Sequence, residues 1–435
     1  MDSPIVSTAG AKKKPGGPGG PNGPEVKSKF RNLYKSGKTD PNQYFSVEIY
    51  DVDLSIINGI KRIIQSDIPI PGFYGEDHPS IDIIENTGPL HNEIMSHRIG
   101  LIPIHFSEDE VENFNTDDYK FEYEIENTTT SMLNATTESI KVYRKDVLLT
   151  KKEIEQLFPK NPYTNHYILI TRLRPGEKLH FKASAVVETS MDHAGFMPVS
   201  LCTFHYIQDP KLLAQLPENS SILDKERCYF RNEYGDPTAI KFEMEMECGL
   251  TAKYLISKAL EILMNKLDRI LVEIISDKSE YITMQVPETN NGYMFTFDNE
   301  NDTLGNFLQS NMHNHYIRAK NLTAHNKSIS YVGYMCPHPL EKVMQLVVII
   351  QNKESTSGTS GTTGTTGTTD DTTVSTTDTL SAASAASAAS AVTAEINVSP
   401  SYSTNKSEYI EVLSEQCRRS LSYLQDIKTQ WLLSS

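Results

Sequence analysis

The chain has 435 residues, with 41 lysines and arginines against 56 aspartates and glutamates, and a formal charge of −15. That balance excludes a protein that coats nucleic acid by neutralising phosphates, which needs a basic face. The length predicts about two to four domains. No apolar run reaches the ~18 residues of a membrane span and no signal-like apolar stretch opens the chain, so a soluble intracellular protein without membrane contact is expected.

In chain order, Lys12, Lys13 and Lys14 precede the Gly/Pro run PGGPGGPNGP at 15–24, which predicts a disordered tail over 1–27. Phe45, Val47 and Ile49 alternate with polar residues as in a half-buried strand. Leu54, Ile57, Ile60 and Ile64 then recur at helical spacing, and Pro69, Pro71 and Gly72 are expected to end that helix. Strands dominate from there to about 207: Phe121, Tyr123 and Ile125 alternate with charged residues, and Leu179, Phe181, Ala183, Ala185 and Val187 repeat the pattern. A polar stretch over 209–237 leads to a strand carrying Ile240, Phe242, Met244 and Met246.

The longest apolar stripe follows: Ala252, Leu255, Ile256, Ala259, Leu260, Leu263, Leu267, Ile270 and Ile274, suited to packing against another long helix. A hairpin at 281–286 and 293–297 is expected around Asn290, Asn291 and Gly292. A helix capped by Asp302 or Thr303 carries Leu304, Phe307, Leu308 and Met312, and strands at 328–335 and 343–351 come next. Between 355 and 391 the large apolar residues are Val374 and Leu380, so 353–401 reads as a disordered insertion inside a fold. Ile410, Leu413, Cys417, Leu421, Leu424, Ile427 and Trp431 make a last amphipathic helix that needs an apolar partner.

The chemistry-bearing residues point away from catalysis. The five cysteines have no C-x-x-C spacing and are expected to be reduced, mostly buried thiols, with no zinc and no cofactor. Cys336 and His338 place a thiol beside an imidazole, but Pro337 and Pro339 favour a rigid turn. His313 and His315, two apart, diverge on a helix and make a poor metal pair. Glu93 and His97 share a helix face, and with Arg98 they read as a local brace before a strand at 99–104. There is no P-loop, no G-x-G-x-x-G and no H-E-x-x-H.

Several blocks, in order, carry a family resemblance. They are DLSIINGIKRIIQSDIPIP at 53–71, LHNEIMSHRIGLIPI at 90–104, YRKDVLL at 143–149, LRPGEKLHFKASAVV at 173–187 and MDHAGFMPVSLCTFHYIQDP at 191–210. With the stripe of 250–275, this series resembles the third-largest subunit of eukaryotic RNA polymerase II, its archaeal counterpart and, more distantly, bacterial alpha. NDTLGNFL (301–308) and YVGYMCPHPLEK (331–342) resemble the small eleventh subunit of that polymerase and its archaeal counterpart, whose fold ends in a long helix.

The resemblance implies an α+β protein with two alpha-like dimerisation units packed through helices. The first would occupy 28–69 and 208–276 and carry a strand-rich inserted domain at 70–207. The second would occupy 277–352 and 402–435. It implies a non-catalytic assembly platform that docks the two largest polymerase subunits and small assembly subunits, with no sequence-specific nucleic acid contact. Asn58, Lys61 and Arg62 match a helix motif that faces the large subunits in the family. The internal interface would use Leu255, Ile256, Leu260, Leu263, Leu267, Leu304, Phe307, Leu308, Leu421 and Leu424, the long stripe packing on both later helices. Glu93, His97, Arg98, Gly100, Pro103, His338 and Pro339 fall in structural blocks. The cysteine cluster that binds zinc in many eukaryotic members is missing from 105–142. A fused form is similar to polymerase subunits of large nucleocytoplasmic DNA viruses, which would put the protein in the host cytoplasm and the virion. The rival readings are a virion structural or scaffold protein, a thiol hydrolase built on Cys336 and His338, and a self-dimerising alpha.

Overall fold

The computed structural model describes residues 29–35, 44–75, 78–161, 164–276, 279–287, 292–352 and 402–434. The tail at 1–27, the 353–401 insertion and the turn residues Asn290 and Asn291 lie outside the described residues. Nine α-helices fall among the described residues: α1 (Leu54–Ser66), α2 (Asn92–Gly100), α3 (Glu108–Glu112), α4 (Lys151–Leu157), α5 (Pro210–Leu213), α6 (Ile222–Glu226), α7 (Ala252–Glu273), α8 (Asp302–Met312) and α9 (Lys406–Ser434).

Alternating apolar residues make two four-stranded antiparallel sheets, because period-two patterning buries one face and leaves the other to water. The first runs Phe30–Lys35, Tyr44–Tyr50, Ala239–Met246, Val199–Tyr206 across the sheet, with Val47 opposite Phe242 and Phe45 opposite Met244. The second runs Ile282–Gln285, Tyr293–Asp298, Val343–Gln351, Ser328–Met335. Both are therefore ordered first, second, fourth, third, and, apart from the excursion after α1 and the short helices α5 and α6 between the last two strands of the first, each is built by the succession strand, strand, helix, strand, strand, helix.

The helices pair like with like. α1, the first helix of its series, packs on α8, the first of the other, and α7 packs on α9. α7 also leans on α1, and one continuous hydrophobic core runs from Phe30 to Trp431 through both sheets. Leu255, Leu260, Leu263 and Leu267 of α7 have no exposed surface, nor do Leu304, Phe307 and Leu308 of α8 or Leu424 of α9. Each fully buried Leu or Ile contributes about 1.5–3 kcal/mol before the entropy of ordering is subtracted.

Between α1 and Val199–Tyr206 the chain leaves this core and forms a second one. Ile70–Gly72 and Val186–Glu188 pair antiparallel as a neck. Beyond it lies a five-stranded sheet in the order Ile81–Asn86, Lys178–Ala183, Tyr119–Glu126, Ile140–Arg144, Val147–Leu148. Its core is separate and aromatic: Phe73 meets Phe121 edge-on at 4.9 Å, and Tyr123 stacks on Phe181 at 5.1 Å.

Four expectations need correction. α1 ends at Ser66, and Ile70–Gly72 is a strand, not merely a helix stop. The alternation of 179–187 is broken at Ser184, since Lys178–Ala183 belongs to the sheet and Val186–Glu188 to the neck. Residues 99–104 are no strand: α2 runs through Gly100, and Ile102 and Ile104 are buried in irregular backbone. The cap of α8 is Asn301, whose side chain accepts from the Thr303 amide at 2.9 Å, one residue before the expected position.

Candidate partner-docking site

α1 forms because Asp53 caps it, accepting hydrogen bonds from the Ser55 amide at 2.8 Å and the Ser55 hydroxyl at 2.5 Å. Its inner face is wider than the four residues expected, with Ile56, Ile57, Ile60, Ile63 and Ile64 all buried. That stripe turns the remaining residues outward. Asn58 and Lys61 are half-buried and Arg62 is exposed. Asn58 lines a cleft that Phe204 also lines, and the Lys61 ammonium lies 5.8 Å from the Phe204 ring centroid. Arg62 faces elsewhere: its charge acts on Tyr334 and Cys336, at the end of Ser328–Met335 and just beyond. The three residues thus share one helix face but serve two neighbourhoods.

The cap also ties the two sheets' helices together. The Asp53 carboxylate accepts from Asn314 Nδ2 at 2.7 Å and from the Ser310 hydroxyl at 3.2 Å. Asn311 donates to the Phe307 carbonyl at 2.8 Å on the same helical stretch. A second clamp lies at the other end of α1. Lys266 of α7 pairs with Glu300 at 3.0 Å and with Asp67 at 3.2 Å, and the Tyr281 hydroxyl donates to Glu300 at 2.9 Å. Burial works against the Lys266 charge, but Glu300 and Asp67 outweigh it and hold the ammonium above the ordinary lysine range. A third joint is aromatic: Trp431 of α9 sits against Phe30 at 5.2 Å and Phe45 at 5.9 Å, its indole N–H reaching the Lys253 carbonyl at 3.3 Å. Sequence patterning does not single out Asp53, Lys266 or Glu300; only the D-x-S start of α1 signals any of them.

The expected interface residues lie in one core, with Leu421 half-buried and Ile256 at 2% exposure. Their pairing differs from expectation. α7 packs on α9 and α1, while α8 packs chiefly on α1 and less on α9. Apolar stripes fix which face is buried, not which partner buries it.

The remaining motif residues separate. Glu93 and His97 are exposed, and no hydrogen bond or ion pair between them is found among the described residues. The brace is Arg98 alone, donating to the carbonyls of Ile170 at 2.8 Å and Leu169 at 3.1 Å. Gly100 sits against Gly75, where a Cβ would stand 2.5 Å from the Gly75 nitrogen, so that close approach requires glycine. Pro103 is half-buried beyond it. His338 and Pro339 are exposed in a turn, where His338 Nδ1 accepts from the Leu340 amide at 3.2 Å. Cys336 donates instead to Asp302 at 3.4 Å, and burial together with that bond pushes its thiol up to about 11. A thiol so held is protonated at neutral pH and is not activated by His338. Cys202, Cys228, Cys248 and Cys417 are buried free thiols, as expected.

The strand-rich region is welded to α7 through α3. Tyr254 and Lys258 reach Glu112 at 2.8 and 2.7 Å, and the Thr251 hydroxyl reaches Glu108 at 2.5 Å. His105, packed against Gly249, is pushed down to about 4 by burial. No helix among the described residues is long and apolar enough to cross a membrane.

No family model matches the chain. It is 29% identical over 171 residues to DNA-directed RNA polymerase subunit Rpo3 of Methanobrevibacter smithii, covering 38% of this chain and 55% of the relative. It is 25% identical over 200 residues to the DNA-directed RNA polymerases I and III subunit RPAC1 of Homo sapiens, covering 42% and 56%. Rpo3 of Thermococcus kodakarensis is 28% identical over 258 residues, 51% of this chain and 90% of the relative. The chain spans 55% and 56% of the first two, little more than half their length. Over about two-fifths to one-half of its length, then, the chain is homologous to the alpha-like Rpo3 and RPAC1 subunits of DNA-directed RNA polymerases.

Proposed function

We propose that the chain is a non-catalytic assembly subunit of a multisubunit DNA-directed RNA polymerase, with two alpha-like halves in one polypeptide forming the platform for the two largest subunits. The observation that carries this reading is the repeated topology: two sheets of one strand order, with α1 against α8 and α7 against α9. A heterodimer of related chains pairs equivalent helices in this way. Here the pairing is intramolecular, and the short connection from α7 to Ile282–Gln285 keeps the effective concentration high. Homology to Rpo3 and RPAC1 supports the polymerase assignment.

In this reading 28–69 and 208–276, with the strand Val199–Tyr206 that completes their sheet, form the first unit, 277–352 with 402–435 the second, and the rest of 70–207 the inserted domain. The outer face of α1 meets a large subunit through Asn58, Lys61 and Arg62. Arg62 is the specific anchor, since a planar guanidinium makes paired bonds that a lysine cannot. Small assembly subunits join the same platform, and polymerisation chemistry belongs to the partner chains. The fused halves and the simple-sequence stretch at 353–401 carry the further reading of a large nucleocytoplasmic DNA virus, whose polymerase works in the host cytoplasm and is packaged in the virion.

Affinity purification of the tagged full chain from its native system, followed by mass spectrometry, tests the assignment. Two large polymerase chains are expected at equal stoichiometry, and Arg62→Ala should lower their recovery by roughly tenfold, as for an interface hot spot. Recovery of the chain alone, or with capsid proteins only, would overturn it.

A further inference from the structure

The fourth strands of the two series hold the same place in their sheets and read differently. Ala239–Met246 is AIKFEMEM, apolar inward and charged outward, as a sheet with one wet face requires. Val343–Gln351 is VMQLVVIIQ, a near-continuous apolar run of the kind found in strands covered on both faces. Met344, Leu346, Val348 and Ile350 fill the inner side, which leaves Val347 and Ile349 half-buried on the outer one. Across the outer face of the first sheet, Lys241 stands between Glu48 and His205, and Glu243 between Ser46 and Thr203. Across the second, Val347 stands between Met294 and Gly333, Gln345 between Thr296 and Met335, and Ile349 beside Tyr331. Those rows of the second sheet carry no charge.

The apolar surface runs on along the edge strand Ser328–Met335, where Tyr331 is 50% and Met335 52% exposed. A Cβ on Gly333 would stand 2.7 Å from Tyr331 Cζ, so glycine is what lets the ring lie across the strand. The turn that follows is fixed by Pro337, Pro339 and His338, whose Nδ1 accepts from the Leu340 amide and whose carbonyl accepts from the Glu341 amide at 3.3 Å. It displays Leu340 at 87% exposure, the most exposed large apolar side chain among the described residues. A lone exposed leucine is ordinary. One held on a fixed turn, at the end of a strip with Tyr331 and Met335, is a pre-organised anchor with little freedom left to lose. The strip also borders the docking face of α1. Ser328–Met335 packs on α8 and α8 on α1, and the charge of Arg62 acts on Tyr334 and Cys336.

Resting on the assembly reading above, we infer that the outer face of the second sheet, with Tyr331, Met335 and Leu340, docks an uncharged apolar segment of the large polymerase chain that meets Arg62. A second copy of this chain is the poorer occupant: it would bring two charges of −15 together and leave Arg62 unused. The two halves of the platform are then unequal, the first turning a charged sheet to water and the second an apolar sheet to a partner.

The test places the photoreactive residue p-benzoylphenylalanine at Tyr331 and, in parallel, at position 62 of the tagged full chain within its native complex. Both adducts are expected on one large polymerase chain, with the Tyr331-site adduct on a segment of uncharged apolar residues. Leu340→Asp, at a position too exposed to disturb the fold, should cut recovery of that chain by roughly tenfold. Any other adduct pattern in a complex that still contains polymerase chains overturns the inference and leaves the assembly reading intact, whether the Tyr331 probe reports nothing, a second copy or this chain's own sequence. So does undiminished recovery with Leu340→Asp. Absence of both adducts and of co-purified polymerase chains overturns both.

Discussion

The two sheet-and-helix series are alike in order and unlike in where they carry extra sequence. In the first, the chain departs after α1 and returns at Val199–Tyr206; in the second, the long excursion falls between Val343–Gln351 and α9. Both departures are closed at the base by antiparallel pairing, Ile70–Gly72 with Val186–Glu188 in one case and Gln351 with Tyr402 in the other. The excursions differ in what they can bury. The first holds a core of Phe73, Phe121, Phe158, Phe181 and their neighbours, whereas 355–391 offers only Val374 and Leu380. A pinned base lets the parent fold ignore an insertion's own folding, because the two flanking residues stay where they would be without it.

The shared core is where the two series depend on each other, and a charge there should break both. Leu263→Asp in α7 puts a carboxylate at a position with no exposure, and Leu308→Asp does the same in α8. Either should cost more than about 4 kcal/mol and abolish soluble folding. The lone tryptophan reports it: Trp431 lies on the first sheet although α9 follows the second, so Leu308→Asp should expose the indole and red-shift its emission. Native-like emission in soluble Leu308→Asp would show that the series fold independently. A smaller break is Trp431→Ala, expected to cost about 3–5 kcal/mol in chemical denaturation, as for other large aromatic truncations.

How much of this is legible in the sequence depends on distance along the chain. The stripes of α1, α7, α8 and α9 and the strands at 328–335 and 343–351 are readable because period 3.6 and period 2 are local. The short helices α3, α4 and α6 escape a reading by apolar periodicity, although each begins with a capping box visible as Ser107–Glu110, Thr150–Glu153 and Ser221–Asp224. The Asp53–Asn314 clamp joins positions 261 apart, and the Lys266–Glu300 pair joins positions 34 apart. No periodicity encodes such pairs, and for the same reason α8 is expected against α7 when it lies on α1. Of the candidate site, the helix carrying Asn58, Lys61 and Arg62 is readable, but the cleft beside it is lined from four stretches far apart in the chain.

The first excursion is tied to its parent by more than the neck, and pH can loosen that tie. His105 packs against Gly249, the residue that leads into α7, and is pushed down to about 4 from an ordinary 6.5. A lowered folded value means the neutral ring is favoured by folding, so its contribution is complete above pH 6.5. It is lost as pH falls through about 4. The ring keeps partial exposure, which reduces the effect to about 2 kcal/mol. Urea midpoints measured across this window should fall for the wild type and flatten for His105→Phe. Parallel curves for the two would assign the acid sensitivity to other groups.

The smallest effect is expected from deleting 355–398. Gln351 pairs with Tyr402, and the Ser403 amide donates to the Ile350 carbonyl at 3.0 Å, so the remaining linker has only to join two neighbouring strand positions. The next anchors lie beyond the deletion: Lys327 with Glu408 at 2.8 Å, and the Tyr409 hydroxyl donating to the Ser403 carbonyl at 2.9 Å. Loop closure changes slowly with length, so stability should stay within about 1 kcal/mol of the full chain. Removing 76–183 instead would take away the contacts of Glu108 and Glu112 with α7 and expose the underside of its first turn, and it should destabilise despite the same pinned base. Equal stability in the two deletions would mean that α3 contributes nothing to α7. Loss of polymerase assembly on deleting 355–398, with the fold intact, would assign that segment a binding role its composition does not reveal.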